Sequence, residues 1–218
     1  MNYIFFDLDG TLLNTRDGIV TCVQKAIATQ GIEIDDLCLL ERHIGPPLKA
    51  GFMQYYGFDE ETAQKVVEEY RKYYKDLGIP GTRPYKGMEE CLKALKEHGY
   101  HLVVATSKPE HLARTYLAHF KLEHYFDDIC GCVEEGEQVR INKSQVIEYA
   151  LKHNRISNHA QVTMVGDRFH DVEGAKAFGI PCVGVLFGFG GKQELVDAGA
   201  VATVSDCEEL TAYFVNRE

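Results

Sequence analysis

Hydrophobic residues along the chain form short continuous runs that alternate with longer stretches of helical spacing. The first run, Tyr3–Phe6, is uninterrupted, which is typical of a strand buried on both faces of a parallel sheet. Similar runs predict later strands at residues 101–106, 129–133, 162–165, 182–186 and 201–204. Helical spacing predicts helices between these strands. The alternation predicts an α/β fold with a Rossmann-like parallel sheet as its core.

The segment from about residue 16 to residue 80 has a different pattern. Apolar residues recur there at helical spacing, and no stretch has the character of a strand. A Gly- and Pro-rich stretch, residues 78–84, is the best candidate for a linker. We therefore expect a core domain formed by residues 1–15 and 82–218, interrupted by an all-helical cap at residues 16–81.

The composition is globular and acidic. The 218 residues include 23 Lys and Arg and 33 Asp and Glu, giving a net charge of −10, which argues against nucleic acid held on a broad basic surface. Seven scattered cysteines without zinc-site spacing predict free thiols in a reducing compartment. The N-terminus lacks the features of a signal peptide, and no apolar run has the length of a bilayer span. We expect a cytoplasmic protein with no membrane partner.

Polar and charged side chains follow several predicted strands at the point where each strand ends. Ligands of open parallel sheets bind at this edge. The residues placed there are Asp7 and Asp9 after the first strand, Thr106, Ser107 and Lys108 after the second, and Asp167 and Asp171 after the strand at 162–165, with Lys143 at the start of the preceding helix.

This group of residues has the chemistry of a phosphoryl-transfer site. Four hard carboxylates without a Cys or His partner favour Mg²⁺, and a lysine with hydroxyl groups suits a phosphoryl group bridged to that ion. An aspartate such as Asp7 facing the phosphorus can attack it and form an aspartyl phosphate. Asp9 is placed to protonate the leaving oxygen and later to activate water.

The same residues resemble the motifs of the haloacid dehalogenase-like superfamily. The run from Phe6 to Leu12 (FDLDGTL) resembles the first motif, residues 103–109 (VVATSKP) the second, Lys143 the third, and the stretch from Val165 to Asp171 the fourth. The resemblance spans essentially the whole chain and includes the inserted helical cap.

The resemblance assigns a role to each matching position. It implies that Asp7 is the nucleophile and Asp9 the general acid and base. It implies that Mg²⁺ is held by Asp7, the backbone carbonyl of Asp9 and Asp167, with Asp171 in support. The phosphate-binding positions that it implies are Leu8, Asp9, Thr106, Ser107 and Lys143.

The acid at position 9 favours phosphoryl transfer over dehalogenation, because dehalogenases of the superfamily lack it. The chain resembles phosphoglycolate phosphatase-like proteins and, more closely, a branch described as 5′-nucleotidases. We therefore expect a Mg²⁺-dependent phosphomonoesterase acting on a small phosphorylated metabolite. A nucleoside monophosphate is the first expectation for the substrate, and phosphoglycolate is the alternative.

Two departures from the family pattern bear on the site. Asn14 and Thr15 stand where Asp-Ser is common, which affects the junction with the cap. Ser144 stands where Pro often follows Lys143, so Arg140 and Lys108 remain alternative cations for the phosphate.

Further candidates and alternative functions remain open. Arg42 and Lys49 in the cap, and His170 in the fourth motif, are candidates for contact with the substrate. A sugar phosphomutase shares the motifs, and a phospho-acceptor signalling domain also combines an aspartate, Mg²⁺, a hydroxyl and a lysine. The sequence shows no mutase signature in the cap, and a receiver domain would lack the helical insert.

Overall fold

The computed structural model describes residues 2–134 and 138–216 and shows an α/β fold. Its strands are β1 (Tyr3–Phe6), β2 (Leu13–Asn14), β3 (Arg83–Pro84), β4 (His101–Pro109), β5 (Asp128–Cys132), β6 (Val162–Gly166), β7 (Cys182–Val185) and β8 (Ala202–Val204). Its α-helices are α1 (Arg16–Ala28), α2 (Leu48–Tyr56), α3 (Glu60–Leu77), α4 (Met88–Glu97), α5 (Glu110–His119), α6 (Lys143–His153), α7 (Phe169–Lys176), α8 (Lys192–Ala198) and α9 (Cys207–Val215). Short 3₁₀ helices lie at Leu37–His43, Glu123–Tyr125 and His159–Gln161.

Six of the strands form one parallel sheet in the order β5-β4-β1-β6-β7-β8. β1 is central, and its last residue, Phe6, lies beside Val104 on one side and Val165 on the other. Successive strands are added on both sides of β1. The carboxyl ends of β1, β4 and β6 therefore meet at a topological switch point, where open sheets bind their ligands. The predicted α/β fold is confirmed.

The hydrophobic core packs the sheet against α6 and α7. Phe5 of β1 and Met164 of β6 share one buried cluster with Val146 of α6 and Val172 of α7. The residues on either side of Phe5 are fully buried as well. β1 is thus covered on both faces, as its unbroken apolar run predicts.

The chain divides into two compact units. One comprises Met1–Leu13 and Pro84–Glu218, and the other comprises Asn14–Arg83. The first holds the six-stranded sheet. The second, which we call the helical insert, holds α1, α2 and α3, and α3 packs against the other two helices through a face that includes Ala63 and Val66.

Three features differ from the predicted elements. β4 extends to Pro109, beyond the predicted end at residue 106, and β2 and β3 form a separate two-stranded sheet. Strands of two residues are too short to show a periodic pattern. The sequence pattern also missed α9, although the Asp206 carboxylate caps it by accepting from the N–H of Glu209 at 2.8 Å. No helix in the described part of the chain is long and apolar enough to span a bilayer.

Candidate active site

Asp7 and Asp9 lie in a tight turn directly after β1. The Leu8 carbonyl accepts a hydrogen bond from the backbone N–H of Leu13 at 2.9 Å, which closes the turn. Gly10 has φ of +83°, a conformation that glycine adopts at little cost. Asp7 is 8% exposed, and the side chain of Leu8 is fully buried. The turn therefore places two carboxylates, two residues apart, at the carboxyl edge of the sheet.

Lys143 is buried between two carboxylates at the start of α6. Its Nζ lies 2.8 Å from Oδ1 of Asp7 and 2.7 Å from Oδ1 of Asp171, and it donates to the Ala105 carbonyl at 2.9 Å. Asn142 caps α6 immediately before it. The buried ammonium group thus has two ion-pair partners and one backbone acceptor. In this structure Lys143 therefore orients Asp7 and Asp171, and its predicted contact with phosphate stays a prediction.

Asp167 and Asp171 follow β6 and are fixed by backbone donors. Oδ2 of Asp167 accepts from the N–H of Phe189 at 2.8 Å, and Oδ2 of Asp171 accepts from the N–H of Arg168 at 3.1 Å. Asp167 is fully buried, yet its Oδ1 has no hydrogen-bond partner among the described residues. Because a buried carboxylate oxygen without a hydrogen-bond partner is costly, this atom fits the role of a cation ligand.

A divalent cation fits this group of carboxylates. Asp7, Asp167 and Asp171 each offer one oxygen, and the three oxygens lie within 4.8 Å of one another. Three ionised carboxylates and the Lys143 ammonium sum to a charge of −3 + 1 = −2 in a buried site. Mg²⁺ carries the opposite charge and prefers oxygen ligands. The carboxylate cluster, as we call these three residues, can therefore hold the ion that the sequence predicts.

The pKa values of this cluster show the same charge imbalance. Burial raises the pKa of Asp167 well above its usual range, and the charges of Asp171 and Asp7 raise it further. Burial also raises the pKa of Asp171, to about 6, although Lys143 opposes this shift. Burial alone would lower the pKa of Lys143, but Asp171 and Asp7 beside it raise the pKa above its ordinary value. A bound cation would oppose these shifts, because it favours the ionised forms of Asp167 and Asp171.

A glycine-containing loop after β7 presses against Asp167. A Cβ atom built on Gly188 would lie 2.3 Å from the Cβ of Asp167, and one on Gly190 would lie 1.9 Å from its backbone oxygen. Phe189, between these two glycines, supplies the N–H that binds Asp167. The loop therefore positions a carboxylate of the cluster.

We expect Gly188→Ala to impair the site without unfolding the protein. The added methyl group must push Asp167 or the Gly10 carbonyl aside, at a cost of about 1–3 kcal/mol of stability. A displacement of this kind should lower kcat/KM at least tenfold, on the order of the losses seen for misplaced catalytic groups. Steady-state kinetics of phosphate ester hydrolysis at saturating Mg²⁺ would measure the loss of activity, and a thermal melt would measure the loss of stability.

Gly191→Ala is the matched control for this prediction. A Cβ atom there meets nothing within 4 Å, and the residue has φ of −81°. It should behave like the wild type. Equal activity of the two variants would contradict the role assigned to the loop.

Lys108 lies beside Asp9, and Arg140 is engaged elsewhere. Lys108 Nζ is 3.1 Å from each carboxylate oxygen of Asp9. The Arg140 guanidinium forms an ion pair with Glu110 and donates to the Gly131 carbonyl at 2.7 Å. Of the two alternative cations for the phosphate, Lys108 is therefore next to the turn after β1, whereas Arg140 contacts the end of β5.

The hydroxyl residues of the second motif lie within β4. Thr106 is buried, and its Oγ1 accepts from the N–H of Lys108 at 3.2 Å. The hydroxyl hydrogen of Thr106 is not used by that bond and is available as a donor. Ser107 is half-buried. Both residues are thus at the sheet edge where the sequence places them, and their contacts with phosphate stay predictions.

The candidates in the helical insert have partners of their own. The Arg42 guanidinium lies 4.2 Å from the ring centroid of Tyr55, and Lys49 forms a 2.8 Å ion pair with Glu60. The Lys49 pair is exposed, and such pairs contribute little to stability. Both cations remain candidates for contact with the substrate.

The junction residues and His170 also take local positions. Oδ1 of Asn14 accepts from the N–H of Arg16 at 3.2 Å at the start of α1, and Thr15 is fully buried. The His170 ring lies 3.8 Å from that of Phe169, centroid to centroid. Burial lowers the pKa of His170, and the charges of Arg168 and Lys143 lower it further.

Sequence reasoning missed Glu194, whose carboxylate forms hydrogen bonds with the start of α7. Its Oε1 accepts from Nε of Arg168 at 2.8 Å and from the N–H of Phe169 at 3.0 Å. It thereby links the first turn of α8 to the segment that carries Asp171. The sequence signal was weak, because an acidic residue in the first turn of a helix is common for reasons of the helix dipole.

Comparison with known proteins places these motifs in a family. Residues 4–185 match the haloacid dehalogenase-like hydrolase family. A 5′-nucleotidase of Pseudomonas aeruginosa is 43% identical over 192 residues, covering 88% of this chain and 86% of that protein. The crystal structure of a predicted phosphatase from Clostridium acetobutylicum is 42% identical in sequence and has a TM-score of 0.92. The match covers 99% of this chain and 98% of the chain in that structure.

Other relatives carry different names. The tyrosine-protein kinase PtkA of Mycobacterium tuberculosis is 34% identical over 202 residues, covering 93% of this chain and 67% of that protein. More distant relatives are named pyrophosphatase, at 32% identity, and phosphoglycolate phosphatase, at 27%. These names differ in substrate, so the comparisons support the phosphatase class more strongly than any one substrate.

Proposed function

The chain belongs to the haloacid dehalogenase-like hydrolase family and is a phosphatase, and we propose that it hydrolyses 5′-nucleoside monophosphates through an aspartyl phosphate on Asp7. One observation carries the mechanism. Asp7 and Asp9 lie two residues apart, and each carboxylate has its own buried lysine, Lys143 for Asp7 and Lys108 for Asp9. Two carboxylates held apart in this way suit two distinct roles, a nucleophile and a proton carrier.

In the first step, a carboxylate oxygen of Asp7 attacks the phosphorus of the ester. A bond forms between that oxygen and phosphorus, and the bond from phosphorus to the ester oxygen breaks. Asp9 gives a proton to the departing oxygen, which leaves as an alcohol. The products of this step are a free nucleoside and a phosphoryl group on Asp7.

In the second step, Asp9 takes a proton from a water molecule. The water oxygen attacks the phosphorus, and the bond between phosphorus and Asp7 breaks. Inorganic phosphate leaves, Asp7 is again a free carboxylate, and Asp9 has recovered the proton that it gave away. The hydroxyl of Thr106 and backbone N–H groups of the turn, including that of Leu8, would donate to the phosphoryl oxygens.

Mg²⁺ is the cofactor that we propose for this site. Asp7, Asp167 and Asp171 would hold it, directly or through water, together with the backbone carbonyl of Asp9. When bound, the ion neutralises charge on the phosphoryl oxygens. Lys143 keeps Asp7 and Asp171 apart and oriented, and the Phe189 N–H keeps Asp167 turned toward them.

The substrate proposal is supported by the 5′-nucleotidase relative, which covers most of both chains. We propose that the helical insert, Asn14–Arg83, serves as the cap that selects the leaving group. The candidate contacts with the substrate are Arg42 and Lys49 of the insert and His170 of α7. Phosphoglycolate is the alternative substrate, in line with the more distant relative of that name.

A panel of phosphate esters tests the substrate proposal. Purified enzyme with Mg²⁺ would be offered 5′-nucleoside monophosphates, phosphoglycolate, pyrophosphate and sugar phosphates, and kcat/KM would be measured from phosphate release. We expect a 5′-nucleoside monophosphate to give at least a tenfold higher kcat/KM than the other classes. Preference for phosphoglycolate or pyrophosphate would overturn this substrate and retain the mechanism.

The same assay separates the other functions. A sugar phosphomutase would convert a sugar phosphate to its isomer, whereas we expect inorganic phosphate alone. A phospho-acceptor domain would keep a phosphoryl group on Asp7 for hours. Transfer of labelled phosphate from ATP to protein tyrosine, without release to water, would indicate the activity named for the PtkA relative.

A further inference from the structure

Lys108, the buried lysine beside Asp9, takes no part in either step of the proposed mechanism. Its side chain is 4% exposed, and its Nζ lies 3.1 Å from both Asp9 oxygens. The Asp9 side chain is 14% exposed, so the pair is largely shielded from water. Salt screens such a pair less than a surface ion pair. We propose that Lys108 is a positioning residue that holds the Asp9 carboxylate in the orientation needed for proton transfer. This inference rests on the proposed function.

The backbone around Lys108 is irregular and closely packed, which limits the directions open to its side chain. The pairing of β4 with β5 changes register between Ala105 and Pro109, and Lys108 lies within this irregular stretch. Its N–H donates to Thr106 Oγ1 at 3.2 Å. A Cβ atom on Gly131 of β5 would lie 2.8 Å from the Lys108 carbonyl oxygen, so the two strands approach there as only glycine permits.

A second set of contacts supports this stretch from behind. Glu110 Oε2 accepts from the N–H of Gly131 at 3.2 Å and pairs with the Arg140 guanidinium. The Tyr116 ring, which is buried on α5, lies 4.6 Å from Lys108 Nζ. The ring face attracts the ammonium group and limits its movement away from Asp9. The lysine is therefore constrained from its backbone to its tip.

The two buried lysines therefore have different roles. The Lys143 ammonium contacts the proposed nucleophile Asp7 and also Asp171, whereas the Lys108 ammonium pairs with Asp9. Loss of Lys108 should therefore affect proton transfer to the leaving group more than attack by Asp7. The extent of that effect depends on the leaving group, because a weakly basic phenolate departs without a proton and a strongly basic alkoxide does not.

The test compares kcat/KM for two substrates in the Lys108→Met variant. This constant reports steps up to release of the alcohol. One substrate is 4-nitrophenyl phosphate, with a good leaving group, and the other is a 5′-nucleoside monophosphate, with a poor one. We expect the ratio of nucleotide to aryl kcat/KM to fall about 100-fold, within the range of general acid catalysis.

Two further variants show whether Lys108 acts through Asp9. Asp9→Asn should lower the same ratio at least as much, and adding Lys108→Met to Asp9→Asn should lower it little further. Lys108→Arg, which keeps a cation, should retain most of the ratio. Lys152→Met on the exposed face of α6 is a control for loss of a lysine far from the site.

The outcomes separate the inference from the proposed function. Equal losses on both substrates, or additive effects of the two substitutions, would overturn the positioning role of Lys108. If Lys108→Met does not fold, as judged by circular dichroism, then Lys108→Gln and Lys108→Arg carry the same comparison. A wild-type enzyme that hydrolyses neither substrate would instead overturn the proposed function.

Discussion

Replacing Asp7 with asparagine is expected to reduce turnover of every phosphate ester by about 10⁴-fold or more, the scale of losses seen when a nucleophile is removed. The amide of asparagine cannot form the acyl phosphate. The change also removes one of the two carboxylates beside Lys143 and one ligand of the carboxylate cluster. Attack, orientation and metal binding would thus fail together, which makes this the largest effect of a single substitution. Phosphate release at saturating substrate and Mg²⁺ measures it.

The control for this prediction is Asp197→Asn. Asp197 is exposed on α8 and accepts from the Gln193 side chain at 2.7 Å, so loss of its charge should leave activity near that of the wild type. The fold of both variants would be checked by circular dichroism. An Asp7→Asn enzyme that is folded and retains more than a tenth of the activity would contradict the assignment of Asp7 as nucleophile.

Removal of divalent cations is expected to produce the second largest loss. The cluster of Asp7, Asp167 and Asp171 carries more negative charge than Lys143 balances, and a substrate phosphate adds more. Dialysis against EDTA should lower activity at least 10³-fold, the order of a lost transition-state charge contact worth several kcal/mol. Added Mg²⁺ should restore activity, and Ca²⁺, which is larger and less strict in geometry, should restore much less. Full activity in EDTA would contradict the metal site.

The stabilising effect of Mg²⁺ should depend on pH in a defined direction. The pKa of Asp171 is raised to about 6, above its usual 3.8, so the metal-free folded state binds an extra proton between these values. The stability from that proton is present below about pH 4 and is lost as the pH rises through about 6. Asp167 shifts in the same direction. Mg²⁺ should therefore raise Tm more at pH 7.5 than at pH 5, and the reverse order would contradict this account.

The residues that meet at the carboxyl edge of the sheet could be predicted, because the topology of a parallel sheet places them there. Asp7 follows an uninterrupted apolar run, Asp167 follows a mostly apolar one, and parallel strands align their carboxyl ends. The structure brings Asp7, Lys143, Asp167 and Asp171 together at that edge, as the sequence pattern indicates. Their roles in catalysis remain predictions. The start of α6 at Lys143 was also predictable, since Asn142 is a good helix cap.

The partners of individual side chains could not be predicted in this way. Lys108 lies in the register change of β4, and Gly131, 23 residues further along the chain, lies close to its backbone there. The same holds for the loop at Gly188, whose contact with Asp167 depends on close backbone approach after β7. Such contacts are set by tertiary packing, and the local sequence gives only the glycines as a signal.

The central claim is that a phosphoryl group passes through Asp7. The most direct measurement is rapid acid quenching of the Asp9→Asn variant after mixing with labelled 4-nitrophenyl phosphate and Mg²⁺. Its leaving group departs without a proton, so the first step still proceeds, whereas loss of the proton carrier slows the second step. Peptide mass spectrometry should find one phosphoryl group on the peptide that contains Asp7, and hydroxylamine should remove it. Phosphate release without any labelled enzyme, or a label on another residue, would contradict the account.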